Sequence, residues 1–140
     1  LDELTIVGNV TNFRIRDPLG IRQRSAADTA WALLVRYDYR RFGWRGLSTF
    51  VGVDYLGERP GDATSGFTAA STAGNVIVNQ PSFYLQARTI ANVGIGYETD
   101  RWTAALRINN VLDEDYIEAS LGRNLLFVGK PRNFGATFTY

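Results

Sequence analysis

RWTAALRINNVLDEDYIEASLGRNLLFVGKPRNFGATFTY, residues 101–140, contains two alternating runs separated by a long polar and charged insert. In the first run Trp102, Ala104, Leu106 and Ile108 share one parity, and Thr103, Ala105, Arg107 and Asn109 the other. In the second, Phe134, Ala136, Phe138 and Tyr140 oppose Asn133, Gly135, Thr137 and Thr139. Successive side chains of a β-strand point to opposite faces, so a period of two predicts strands with one greasy face and one small, polar face.

The pattern recurs upstream. Leu4, Ile6, Gly8 and Val10 alternate with Thr5, Val7, Asn9 and Thr11. Trp31, Leu33, Val35, Tyr37 and Tyr39 alternate with Ala30, Ala32, Leu34, Arg36, Asp38 and Arg40. Leu47, Thr49, Val51, Val53 and Tyr55 oppose Ser48, Phe50, Gly52 and Asp54. A run over 83–98 sets Ala87, Thr89, Ala91, Val93, Ile95 and Tyr97 against Arg88, Ile90, Asn92, Gly94, Gly96 and Glu98. The reading is an all-β chain of about six antiparallel strands.

Composition narrows the function. The chain has 140 residues with 8 Phe, 7 Tyr, 3 Trp and 14 Gly, and a net charge of +1. Mean hydropathy is slightly negative, and no stretch is apolar for long enough to form a transmembrane helix. A membrane β-barrel escapes that test, because half of each strand faces a polar interior and dilutes the signal. His and Cys are both absent, which removes disulfides, the usual general base, the common nitrogen ligand for zinc and the Ser-His-Asp arrangement. Near-neutral charge supplies no field to recruit nucleic acid. The opening LDELTIVGNV has neither a basic n-region nor an apolar h-region, so a signal for export is expected to lie outside this chain.

Between the runs lie polar connections. RIRDPLGIRQRSAAD carries Arg14, Arg16, Arg22 and Arg24, with Pro18 and Gly20 marking a break. The arginines read either as an anion-binding loop or as a solvated connection, and a basic loop alone favours the second. The cluster YRRFGWR mixes basic and aromatic residues, which suits single-stranded nucleic acid. It suits the turn of a hairpin at a membrane interface better, because it lies tightly between two strands. RPGDATSGFTAASTAGNVIVNQPS is long and rich in small residues, the kind of loop that is usually functional.

Two further regularities point to a bilayer. With the greasy parity taken as outside, Arg36, Asp38, Asp54, Arg88 and Arg107 all fall on the other, lumen-facing side. Chance would give that about one time in thirty, whereas the bilayer midplane penalises Arg or Lys by about 2–4 kcal/mol. The connections also alternate long and short: 13–28, 42–45, 59–82, 99–101 and 110–131. Outer-membrane barrels have short periplasmic turns and long extracellular loops, so the last strand is expected to descend to the periplasm. Tyr37, Tyr39, Trp44, Tyr97, Trp102, Phe138 and Tyr140 gather near the short-turn end, and Trp31, Tyr55 and Phe134 nearer the long-loop end. Together they outline two aromatic girdles.

These residues resemble the C-terminal end of a TonB-dependent outer-membrane receptor of the siderophore type. RWTAALRINNVLDEDYIEAS is similar to the family's penultimate strand running into an Asn-Leu-Phe-Asp-x-x-Tyr motif, matched at Asn110, Val111, Leu112, Asp113 and Tyr116. GKPRNFGATFTY resembles the family's Gly-x-Pro-Arg and closing strand, at Gly129, Pro131 and Arg132. RGLSTFVGVDYLGERP is similar to a strand leading into a long external loop, at Arg45, Gly46, Leu47, Gly52, Gly57 and Arg59. Departures are Val111-Leu112 for Leu-Phe, Asn92 for Asp, and Tyr140 for the usual closing Phe.

The resemblance implies a 22-stranded transmembrane barrel around an N-terminal plug, with residues 1–140 forming the last strands and the plug lying outside the chain. It implies active uptake of a ferric siderophore or similar scarce nutrient at the bacterial outer membrane. The implied partners are outer-membrane lipid, the TonB complex through the plug, and the barrel assembly machinery, which would read Phe138 and Tyr140. No nucleic acid is expected. Loop residues Arg14, Arg16, Arg22, Arg24, Tyr116, Arg123 and Lys130 are the candidates for touching an anionic chelate. For the lumen charges Arg36, Asp38, Asp54, Arg88 and Arg107, cross-strand ion pairing is the simpler reading.

Alternation alone also admits a soluble lipocalin-like barrel or β-sandwich whose greasy face points inward. An enzyme would have to use Asp113, Glu114, Asp115 and Glu118, whose spacing does not match an EF-hand. A solvated or turn-stabilising role suits these acids better than weak Ca²⁺ binding. No catalytic residue, metal or cofactor is assigned.

Overall fold

The computed structural model describes residues 3–16, 22–62, 81 and 83–140. The break at Pro18 and Gly20, and most of the insert between Asp62 and Phe83, fall outside the described residues. The strands are β1 (Leu4–Asn12), β2 (Thr29–Asp38), β3 (Leu47–Leu56), β4 (Arg59–Pro60), β5 (Tyr84–Leu85), β6 (Arg88–Glu98), β7 (Thr103–Asn109), β8 (Ile117–Gly122), β9 (Leu125–Val128) and β10 (Asn133–Thr139). One six-stranded antiparallel sheet has the order β1-β2-β3-β6-β7-β10, and β4-β5 and β8-β9 form separate two-stranded ribbons.

Register confirms the parity of every long run. Residues directly opposite each other in an antiparallel pair share a face. Along one row Ile6 meets Val35, Val35 meets Val51, Val51 meets Val93, Val93 meets Ile108, and Ile108 meets Phe134. The greasy face is therefore continuous across all six strands. On the opposite face Leu34 meets Gly52, and Arg107 lies between Gly94 and Gly135. Gly94 is required there, because a Cβ would run into the ring of Phe50 on the neighbouring strand.

The short connections are built by specific turn chemistry. After β2 a single 3-10 turn, Arg40–Phe42, ends at Gly43 with φ of 78°. Gly46, with φ of 91°, lies against the Glu98 backbone where a Cβ has no room, and its carbonyl accepts the Glu98 N–H at 2.9 Å. Both conformations suit glycine and little else. Between β6 and β7 the Thr99 hydroxyl accepts the Trp102 N–H at 3.1 Å.

The aromatic residues form clusters on the greasy face. At the short-turn end Tyr37 and Tyr39 meet edge to face at 4.8 Å, with Phe42 6.3 Å from Tyr39. A second ladder at that end runs Tyr97, Trp102, Phe138 with centroids 5.6 and 5.9 Å apart. At the other end Trp31 stacks on Tyr55 at 5.7 Å. Each such pair contributes about 0.5–1.5 kcal/mol beyond burial.

Two departures from the sequence reading concern the long connections. The run over 83–98 is not one strand: Tyr84–Leu85 leaves the main sheet to pair with Arg59–Pro60, and β6 begins at Arg88. The pairing buries Leu85, and alternation cannot report which partner a strand segment chooses. The insert before β10 likewise contains a hairpin, β8-β9, whose registers shift at Ile117/Ala119 and Ser120/Gly122. Bulges of this kind erase the period-two signal.

Candidate functional site

The described parts of the long connections, residues 13–16 and 22–28, 57–62 and 83–87, and 110–132, contact one another at one end of the sheet. Arg59 lies at the centre, 1 % exposed. Its Nη2 donates to the carbonyl oxygens of Ile117 at 2.9 Å and Glu118 at 2.8 Å, fastening the second connection to the third. Ser120 Oγ donates to the Gly61 carbonyl across the same seam. On the other side Arg22 Nη2 donates to the Glu58 carbonyl at 2.6 Å, and the Ser25 N–H to that of Pro60 at 2.9 Å. Burial, and then the neighbouring Arg88 charge, push the Arg59 pKa below its ordinary value, while Glu118 opposes them.

Three arginines cover three aromatic faces here. Arg22 lies 5.6 Å from the centre of the Tyr84 ring, Arg88 4.7 Å from Tyr116, and Arg123 5.8 Å from Phe83. Stacked guanidinium groups keep their edges available for hydrogen bonds while the ring holds their plane. Phe83, Tyr84 and Tyr116 also line a cleft of about 470 Å³ with Glu114, Asp115, Leu126 and Val128. The arrangement combines cationic edges, apolar ring surface and carboxylates.

The ligand candidates separate into two groups. Arg22, Tyr116 and Arg123 each take part in one of the ring contacts just described, whose rings line one cleft. Arg16 pairs with Asp28 at 3.3 Å, beside the Arg22–Asp28 contact at 3.6 Å. Arg14, Arg24 and Lys130 are exposed and make no ion pair among the described residues. Arg59 and Arg88 belong to this region as well. Arg59 had no place among the ligand candidates, although it stands in the GERP stretch.

The motif positions assemble into one clasp between β7 and β10. Asn110, 2 % exposed with φ of 52°, donates its backbone N–H to Asn92 Oδ1 at 3.1 Å. Its side-chain oxygen accepts the Glu114 N–H at 2.9 Å, and its amide donates to the carbonyls of Glu114 at 2.9 Å and Lys130 at 3.1 Å. Asp113 receives the Arg132 N–H at 3.0 Å and its guanidinium at 2.8 Å. The Tyr116 ring covers Gly129, where a Cβ would strike it, and the Tyr116 carbonyl accepts the Gly129 N–H at 2.8 Å. The Pro131 carbonyl accepts from Asn133 Nδ2 at 3.0 Å.

On the polar face the charges are sorted too. Arg88 bridges to Asp54 across β6 and β3 at 3.1 Å and to Glu118 at 3.4 Å. Arg36 pairs with Asp38 along β2 at 3.0 Å. Arg107 has no acidic partner among the described residues. A cleft of about 590 Å³ at the short-turn end is lined by Arg36, Asp38, Arg40, Arg45, Glu98 and Asp100. Among the described residues, no group of three or more acidic side chains is arranged to hold a metal ion.

A scan against protein-family models found no match, and a search of curated proteins found none either. Solved structures do match. The chain is similar to P. aeruginosa FpvA in its complex with iron and a heterologous pyoverdine, with TM-score 0.75 and 18% identity over 99% of this chain and 17% of that one. It is similar to the ferric-catecholate import receptor Fiu of E. coli K12 in its closed form, with TM-score 0.70 and 19% identity over 99% of this chain and 19% of that one. The FpvAI–pyocin S2 complex matches with TM-score 0.74 and 18% identity, over 97% of this chain and 17% of that one. The chain thus spans less than a fifth of the length of these chains, and its fold is that of a segment of a siderophore-receptor barrel.

Proposed function

We propose that the chain is the C-terminal barrel segment of a TonB-dependent outer-membrane receptor that takes up a ferric siderophore or a similar scarce nutrient. The observation that carries this reading is the sorting of the sheet. One face is apolar over six strands and bounded by aromatic clusters at both ends, while Arg36, Asp38, Asp54, Arg88 and Arg107 share the other. Among the described residues, Pro60, Leu85 and Ile90 are the buried apolar side chains, and no element packs on the greasy face. A soluble sandwich would need a second sheet there. Lipid is the covering that also accounts for the girdles.

In this reading the three long connections lie outside the cell, and their arginines and rings meet the chelate. The polar face lines the lumen, and the short-turn cleft with Arg40, Arg45, Glu98 and Asp100 faces the plug supplied by the rest of the receptor. Energy reaches the barrel through that plug and the TonB complex. Phe138 and Tyr140 serve recognition by the assembly machinery, and the activity is transport, not catalysis. The test is uptake of radiolabelled ferric chelates by cells with and without the intact receptor. At least one chelate should enter only when the receptor is present, and equal uptake across a siderophore panel would sink the proposal.

A further inference from the structure

We propose that Arg59 is a latch that makes the described parts of the three long connections move as one body. The side chain does not reach solvent, so it acts through what it holds. One nitrogen grips two successive carbonyls of β8, while its own backbone belongs to the β4-β5 ribbon. The seam therefore holds one buried cation bonded to two neutral acceptors, beside the neutral bond from Ser120 Oγ to the Gly61 carbonyl. The contact between the first and second connections is of a different kind: Arg22 to the Glu58 carbonyl, and a backbone bond from Ser25 to Pro60.

The latch also sets the ring contacts. Phe83 and Tyr84 ride on the second connection, whereas Arg22 rides on the first and Arg123 on the third. Any sliding of β8-β9 against β4-β5 parts Arg123 from Phe83. It also shifts Glu118, which is shared between the Arg59 latch and the Arg88 bridge. The second nitrogen, Nη1, is buried and has no hydrogen-bond partner among the described residues. The latch is independent of the receptor reading, because it concerns contacts within the chain.

Amide hydrogen exchange on the intact chain in detergent micelles tests it. Ser25, Gly61 and the β8-β9 amides should open with a common rate. In Arg59→Gln the β8-β9 amides should exchange roughly tenfold faster or more, while Ser25 and Gly61 stay together and the main sheet is unchanged. Arg59→Lys, which keeps a cation, should fall between. The cysteine-free sequence allows spin labels at Glu58 and Leu121, both exposed, whose distance distribution should broaden in Arg59→Gln. Unchanged exchange and distances would overturn the latch. So would loss of protection in β2, β3 and β6 as well, which would make Arg59 a determinant of folding.

Discussion

Asn110 shows how a single side chain can close a strand end. Its φ is positive, a conformation Asn tolerates better than most residues, and its side-chain amide answers three backbone groups in part-buried bonds. Asn110→Ala should destabilise the chain by about 3 kcal/mol, because donors and acceptors are left unmet as well as bonds lost. Asn92 supplies only an acceptor to this clasp, so Asn92→Asp should be nearly neutral and Asn92→Ala should cost about 1–2 kcal/mol. Urea unfolding midpoints in micelles measure both, and equal effects of the two Asn92 variants would contradict the assignment. The departure from Asp at this position thus keeps the one atom that matters. The motif residues were legible in sequence as a constellation, but Arg59 as the junction between two long connections was not. Its partners are carbonyls of Ile117 and Glu118, and main-chain acceptors carry no residue identity that a pattern can show. An arginine beside proline in a Gly-rich insert gave the one available signal.

Among the elements, the long strands were readable because a one-residue slip would expose every greasy side chain to the wrong medium. Leu33 and Leu34 isolate that constraint. They are adjacent, identical, and 41% and 43% exposed, yet they lie on opposite faces of β2. In lipid vesicles Leu33→Arg should cost about 2–4 kcal/mol, whereas Leu34→Arg should cost less than about 1 kcal/mol, as a surface change does. Equal costs in urea titrations would remove the bilayer from the account. The ribbons β4-β5 and β8-β9 were not readable for the opposite reason. Two-residue strands hold too few alternations to detect, and bulges break the period in the longer hairpin. Tyr84 and Leu85 were absorbed into the neighbouring run because their parity happened to continue it.

At the scale of the molecule, the sheet is a meander: each strand pairs with the next member of the sheet along the chain, and β1 and β10 remain as open edges. Open edges invite further pairing, which a longer barrel would supply. The order of strands also implies an order in time. Hairpins β2-β3 and β6-β7 are closed by tight turns and can form within about 1–10 μs. Joining them across residues 57–87 requires a loop roughly two to three doublings longer than those turns, adding about 1.2–1.8 kcal/mol of closure entropy. Pulse-labelled exchange during refolding should therefore protect the Leu34–Gly52 and Gly96–Ala105 neighbourhoods before the Val51–Val93 seam, and simultaneous protection would contradict this. The seam that forms last is the one whose loop carries Arg59, so the latch becomes a late checkpoint of assembly, reached after both hairpins have met.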